Sequence, residues 1–374
     1  MKRIRFSVLI LWACLASVAW GQPPACTAHT PWVEFHRTNM QRWNQCESVL
    51  SVSTVGNLGL KWSFTTLDYV FSSPSVVNAV VYVGSDDHNM YALNALTGAK
   101  LWSYTTAAVV ASSPAAANGV VYVDSYDKNV YALNASTGTA LWNSSGGGFS
   151  SPTVVNGVVY IGSFDKNVYA LNATTGAKLW NYTTGRIVLS SPAVSNGVVY
   201  VGSYDNSVYA LNASTGAKLW NYTTGGYVVS SPAVANGVVY VGSYDKNLYA
   251  LNASTGAKLW SYTAGDVVAS SPAVANGVVY MGSYDKKVYA LNAKTGVKLW
   301  SYTTGGVVYS SPAVANGVVY VGSYDKNVYA LNAKTGAKLW SYTTGGGVYA
   351  SPSVANGLVY VGSDDGNVYA FGLK

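Results

Sequence analysis

The chain has 374 residues, 49% of them hydrophobic but only 10% charged, so Gly, Ser, Thr and Asn supply most of its polarity. Against about 25% charged residues in an ordinary soluble domain, that balance points to a turn-rich β protein, and the formal charge of +7 is too modest to argue for nucleic acid as a partner. Length alone suggests two or three domains, but internal repetition overrides it, because stacked units extend a single core.

Residues 1–21 read as a secretory signal. Lys2, Arg3 and Arg5 precede the apolar run from Phe6 to Ala19, and Ala19-Trp20-Gly21 resembles a small-x-small cleavage site before Gln22. The run is short for a membrane span, and no other stretch is long enough to cross. A periplasmic or secreted chain without a membrane span is expected, its charge lowered from +7 to +4 by loss of the three basic residues. Leu11-Trp12-Ala13-Cys14 faintly resembles a lipoprotein box, which Trp12 fits poorly. Residues 22–57 lie outside any period. There Cys26 and Cys46 are expected to form a disulfide in an oxidising compartment, pinning a strap that carries Trp32, Phe35 and Trp43 amid His36, Arg37 and Arg42 onto the domain that follows.

From residue 58 onward the period dominates. Trp62, Trp102, Trp142, Trp180, Trp220, Trp260, Trp300 and Trp340 recur every 40 residues with one step of 38, and a proline keeps the same beat from Pro74 to Pro352. In the unit from Ser230 to Trp260, strand A (SPAV) ends at Asn236-Gly237. Strand B (VVYVGS) ends at a turn beginning with Asp245. Strand C (LYALN) is followed by a turn over Asn252 to Gly256, and strand D (KLWSYT) closes the unit. Asn-Gly between β-branched runs is a strong hairpin signal, and four antiparallel strands in about forty residues make a propeller blade. Val238-Val239-Tyr240-Val241 does not alternate with polar residues, so both faces of strand B must be buried. The chain enters with strand D alone, Leu60 to Phe64, and leaves after strand C, Val368 to Phe371. Pairing of the two completes the last blade and removes an open edge. The expected fold over 58–374 is therefore all-β, a closed eight-bladed β-propeller with four-stranded antiparallel blades, and a monomer.

Ala210-Leu211-Asn212-Ala213-Ser214-Thr215-Gly216 followed by Trp220 resembles the tryptophan-docking motif of pyrroloquinoline quinone (PQQ) repeats. Seven copies are intact, and an eighth is split between Ala370 and Trp62. The resemblance implies that the eight tryptophans are structural, each ring packing on the neighbouring blade with its N–H on a backbone carbonyl. It does not carry activity. The adjacent Cys-Cys pair usual in quinoprotein dehydrogenases is missing, as are the long insertions that build their pocket. The non-enzymatic branch, with its outer-membrane assembly lipoproteins, is the closer analogy, and no bound cofactor is expected. PQQ and Ca²⁺ enter only under the alternative of a quinone-dependent dehydrogenase.

His29, His36 and His88 are scattered, and no Cys/His cluster has zinc spacing, so neither a catalytic residue nor a metal ligand is assigned. The Asp-Lys-Asn turns read as tight turns rather than calcium loops. The Asn-Ala-Ser/Thr triplets at Asn134, Asn172, Asn212 and Asn252 match glycosylation sequons but sit inside the docking motif. Repeats differ most in the D-to-A connection, which leads into the innermost strand and so rings the mouth of the central channel. Asp68, Tyr69, Arg186, Tyr227, Asp266, Tyr309 and Tyr349 are the proposed recognition surface there, because a ligand without eight-fold symmetry must meet distinct groups. The B-to-C turns should share that face and add Tyr126, Phe164, Tyr204, Tyr244, Tyr284 and Tyr324. Lysines such as Lys178, Lys218 and Lys258 should fall near the opposite face as a solvated rim. The functional expectation is a non-catalytic scaffold engaging an envelope or extracellular protein or polysaccharide. A purely structural envelope repeat protein is a further alternative.

Overall fold

A computed structural model of the chain describes residues 32–35 and 41–374. The signal reading over 1–21, Cys26, His29, His36 and Arg37 lie outside the described residues. Eight sheets follow one another around a ring. Blade 1 is built from Ser75–Val77 (strand A), Val80–Gly84 (B), Asn89–Asn94 (C) and Lys100–Thr105 (D). Blades 2 to 7 repeat this order. Blade 8 takes strands A to C from Ser353–Ala355, Leu358–Gly362 and Asn367–Leu373, and strand D from Leu58–Thr65 at the other end of the domain. That last pairing runs antiparallel from Leu58↔Leu373 to Thr65↔Asn367. The ring is closed.

Closure is repeated at the axis. The amide of Ser73 donates to Ser113 Oγ at 3.0 Å, and the same bond links each blade to the next through Ser151, Ser191, Ser231, Ser271 and Ser311. The amide of Ser351 then donates to Ser73 Oγ at 3.0 Å, completing the circle. Between blades, each tryptophan docks forward. Trp220 donates Nε1–H to Ala253 O at 2.9 Å, and its ring packs on Gly256, where a Cβ would lie 2.7 Å from it. Tyr200 Oη–H donates to the same carbonyl at 3.1 Å. The pattern holds from Trp62 to Trp300. At the split repeat the Thr-Gly turn is missing. Trp340 reaches Leu58 O instead, and the buried hydroxyl of Tyr320 is left without a partner.

Strands A and B are joined by Asn-Gly turns with both residues at positive φ, 50° and 74° at Asn236-Gly237, the mirror-image turn that matches strand twist. Blade 1 departs from this: Asn78 is followed by Ala79, held at φ 60°. A side chain there costs roughly 1 kcal/mol. Ala79→Gly should therefore raise stability by about 1 kcal/mol, read as a higher urea midpoint with an unchanged slope.

The 38-residue step has a local explanation. In blade 1 a Cβ on Gly84 would lie 2.3 Å from Val110 O, so the incoming valine requires glycine in strand B. The connection from blade 2 to blade 3 is two residues shorter and puts Gly148 near that place. Strand B of blade 2 there carries Asp124, fully buried, whose Oδ1 accepts from the Gly148 amide at 2.6 Å. Burial holds its carboxyl well above the usual carboxylate range. The side chain occupies the space the valine vacates.

Candidate functional site

The strap is threaded through the middle of the ring. Trp32 bridges Val76 of blade 1 in both directions. Val33 O accepts from Ala116 N of blade 2 at 2.8 Å, and Glu34 Oε2 from Val154 N of blade 3 at 3.1 Å. Gln41 reaches blades 5 and 6, Trp43–Asn44 lies parallel to the inner strand of blade 7, and Asn44 Nδ2 donates to Val354 O of blade 8 at 2.9 Å. Inner strands present unpaired backbone groups to the axis, and the strap pairs them. Arg42 is fully buried there. Its guanidinium donates to Pro312 O and Pro352 O, each at 3.0 Å, and to Phe35 O, and it lies 4.5 Å from the Phe35 ring centroid. Cys46 is disulfide-bonded.

Above the strap lies a cavity with about 520 Å³ of empty space, part of it open to solvent, with Phe35 and the serine ring on its walls. Its upper wall is the residue three before each proline: Phe71, Ala111, Phe149, Leu189, Val229, Ala269, Tyr309 and Tyr349. The B-to-C turns share this face, because the amides of Tyr204, Tyr244, Tyr284 and Tyr324 donate to carbonyls of the D-to-A connections at 2.9–3.0 Å. Their rings interlock with the connections. Tyr204 stacks on Tyr227 at 4.8 Å, and Tyr227 meets Tyr244, which meets Tyr284. Tyr284 meets Tyr309, which stacks on Tyr349 at 3.9 Å. Tyr349 then packs edge-on against Phe71, and Phe71 against Tyr69. These eight rings form one arc. Tyr126, Phe149 and Phe164 make a separate group.

The two ends of the arc differ in charge. At one end the Arg186 guanidinium lies 5.4 Å from the Tyr227 ring centroid and donates to Tyr227 Oη at 3.4 Å. At the other stand Asp68, Asp86 and Asp364. Asp86 and Asp364 occupy, in blades 1 and 8, the B-to-C turn position that is aromatic in the six other blades. Burial raises both carboxyls to about 6, helped at Asp86 by Asp68, Asp364 and Asp87, and at Asp364 by Asp365. Each keeps one buried Oδ1 without a hydrogen-bond partner.

Of the seven residues proposed from sequence, Tyr69, Tyr227, Tyr309 and Tyr349 are in the arc, and Arg186 and Asp68 mark its ends. Asp266 is not drawn in; its carboxylate pairs with Lys246 at 3.5 Å. Phe71, Asp86 and Asp364 were missed as site residues. The signal was the aligned turn column, in which the two aspartates are the exceptions. The turn aspartates serve the backbone: Asp245 accepts from Tyr249 Oη, Asn247 N and Gly225 N. The sequon asparagines do likewise, as Asn212 Oδ1 accepts from Ser214 N and Thr215 N. Among the described residues no three His, Cys, Asp or Glu are grouped to hold a metal ion, and no helix is long and apolar enough to cross a membrane.

The chain matches the family described as outer membrane protein assembly factor BamB over residues 43–186, 144–231, 223–308 and 303–374. No curated protein matches its sequence. Among solved structures, BamB from Moraxella catarrhalis is similar with a TM-score of 0.74 at 21% identity, over 84% of this chain and 99% of that one. A quinohemoprotein alcohol dehydrogenase from Pseudomonas putida HK5 gives 0.80 at 20% identity, over 92% and 80%. The computationally designed Ika8 protein gives 0.75 at 18% identity, over 82% and 96%. Identities this low bear on fold alone.

Proposed function

Because the chain belongs to the family of the outer membrane protein assembly factor BamB, we propose that it is a non-catalytic binding scaffold that works outside the cytoplasm and engages a protein through the mouth of its propeller. The observation that carries this reading is the arc of rings at the mouth. Repeats that are otherwise near-identical differ here, Tyr69 is 50% exposed and Tyr227 37%, and large aromatic side chains with some apolar surface showing are what protein interfaces use as anchors. The disulfide at Cys46 fits an oxidising compartment. The alternative of a quinone-dependent dehydrogenase would need a metal-held quinone over this mouth. The described residues supply no cluster of three ligands for the metal.

The test is photo-crosslinking in cells that make the protein, with the reactive side chain placed at Tyr69 or Tyr227 and, as control, at Leu219 on an outer strand. A discrete protein adduct from the mouth positions only is expected. Tyr309→Ala combined with Tyr349→Ala should cut its yield at least about tenfold, as loss of an anchor does. Adducts from Leu219 alone, or none that the double variant changes, would overturn the reading.

A further inference from the structure

Three features of the mouth lie outside the strand pairing and the serine ring that close the propeller. The rings from Tyr204 to Tyr69 form an unbroken arc. Arg186 stands over one end with no carboxylate in ion-pair distance among the described residues. Asp86 and Asp364 stand at the other, each with a buried oxygen that nothing donates to. The aspartate that follows each of them, Asp87 or Asp365, accepts several hydrogen bonds; among the other B-to-C turns, Asn206 Oδ1 in blade 4 is also without a partner. An unpartnered buried carboxylate oxygen costs about 1–3 kcal/mol or more, and proximity of Asp86 to Asp364 adds repulsion. A positively charged group beside the two half-buried carboxylates relieves the repulsion between them, and the rim of the arc offers it an aromatic face as well.

From this we propose that the mouth binds an extended polypeptide segment in one direction, with a lysine or arginine side chain of the partner between Asp86 and Asp364, aromatic or proline residues along the arc, and a carboxylate at Arg186. The proposal rests on the scaffold reading and deepens it by giving the partner's chemistry. A polypeptide is favoured over a neutral glycan because only an amphoteric chain answers both charged ends. Separation of opposite charges across a groove fixes orientation and rejects the reversed segment.

The experiment is fluorescence anisotropy with labelled peptides carrying one Arg and one Glu separated by three to nine Ser and Tyr residues. They are compared with peptides in reversed order, with citrulline in place of Arg, and with a neutral oligosaccharide as competitor. The protein is the full chain as wild type, as Asp86→Asn with Asp364→Asn, as Arg186→Gln, and as Tyr309→Ala with Tyr349→Ala. The double asparagine variant is near-isosteric and Arg186 is exposed, and the urea midpoints of both variants verify folding. Expected is about tenfold weaker binding for citrulline, for the double asparagine variant and for Arg186→Gln, with no further loss when the citrulline peptide meets the asparagine variant. Equal affinity for Arg and citrulline peptides, for both orders, or equally strong competition by the oligosaccharide would overturn the proposal. If binding then still falls with Tyr309→Ala and Tyr349→Ala, the scaffold reading survives; if it does not, both fail.

Discussion

Trp62→Ala should lower the stability of the folded chain by about 3–5 kcal/mol, the range for deleting a buried large aromatic. Trp340→Ala should cost clearly less. Trp62 is 8% exposed, donates to Ala95 O at 2.9 Å and lies against Gly98, where a Cβ would come within 2.7 Å of the ring. It also sits in the strand that closes blade 8, packed 5.9 Å from Tyr360. Its loss weakens the docking onto blade 1 and the closure together. Trp340 is only partly buried and docks on Leu58 O, with no Thr-Gly turn beneath it. Urea unfolding of the two variants settles the order. Equal midpoints would mean that docking at the split repeat is as tight as elsewhere and that closure adds nothing.

The ring, its eight blades and the join between strand D and the last three strands were all legible, because each follows from a period and from two incomplete ends. The docking tryptophans were legible for the same reason. Repetition makes a packing position visible eight times over. The strap was not. Trp32, Glu34, Arg42 and Asn44 hydrogen-bond to the backbone edges of the inner strands, and backbone leaves no complementary pattern in sequence. The acidic end of the arc was half legible. Asp86 and Asp364 stand out in their column, but they lie at opposite ends of the domain and become neighbours only when the ring closes. The arc itself follows from residues proposed in advance, except for Phe71, which looked like one more variable position. Asp124 could be read only in retrospect, since the short connection that accommodates it is a deletion rather than a residue.

Glu34 should make a large contribution to the pH dependence of stability, alongside the raised carboxyls of Asp124, Asp86 and Asp364. The Glu34 carboxyl is wholly enclosed between the strap and blade 3, and burial, offset only in part by the bond from Val154 N, pushes its pKa up to about 8. In the unfolded chain it titrates near 4.3. A raised folded pKa means that the folded state holds the proton more tightly. Its contribution is therefore fully present below about pH 4 and is lost as the pH rises through about 8. At 1.36 kcal/mol per unit, the loss across that window is on the order of a few kcal/mol. Glu34→Gln keeps an acceptor for Val154 N and carries no charge at any pH. It should be close to wild type at pH 5 and more stable by a few kcal/mol at pH 8 and above. The variant's urea midpoint should also be flatter over that range. Because Glu34 accepts from the inner edge of blade 3 while the ring has its own closure, the first event on raising the pH should be release of the strap. Limited proteolysis near residues 32–35 should accelerate in the wild type between pH 7 and 9 and not in the variant. A wild-type midpoint that is level from pH 5 to 8, or a variant no more stable than wild type at pH 8, would mean that Glu34 titrates as an ordinary carboxylate and that the strap does not seal it from water.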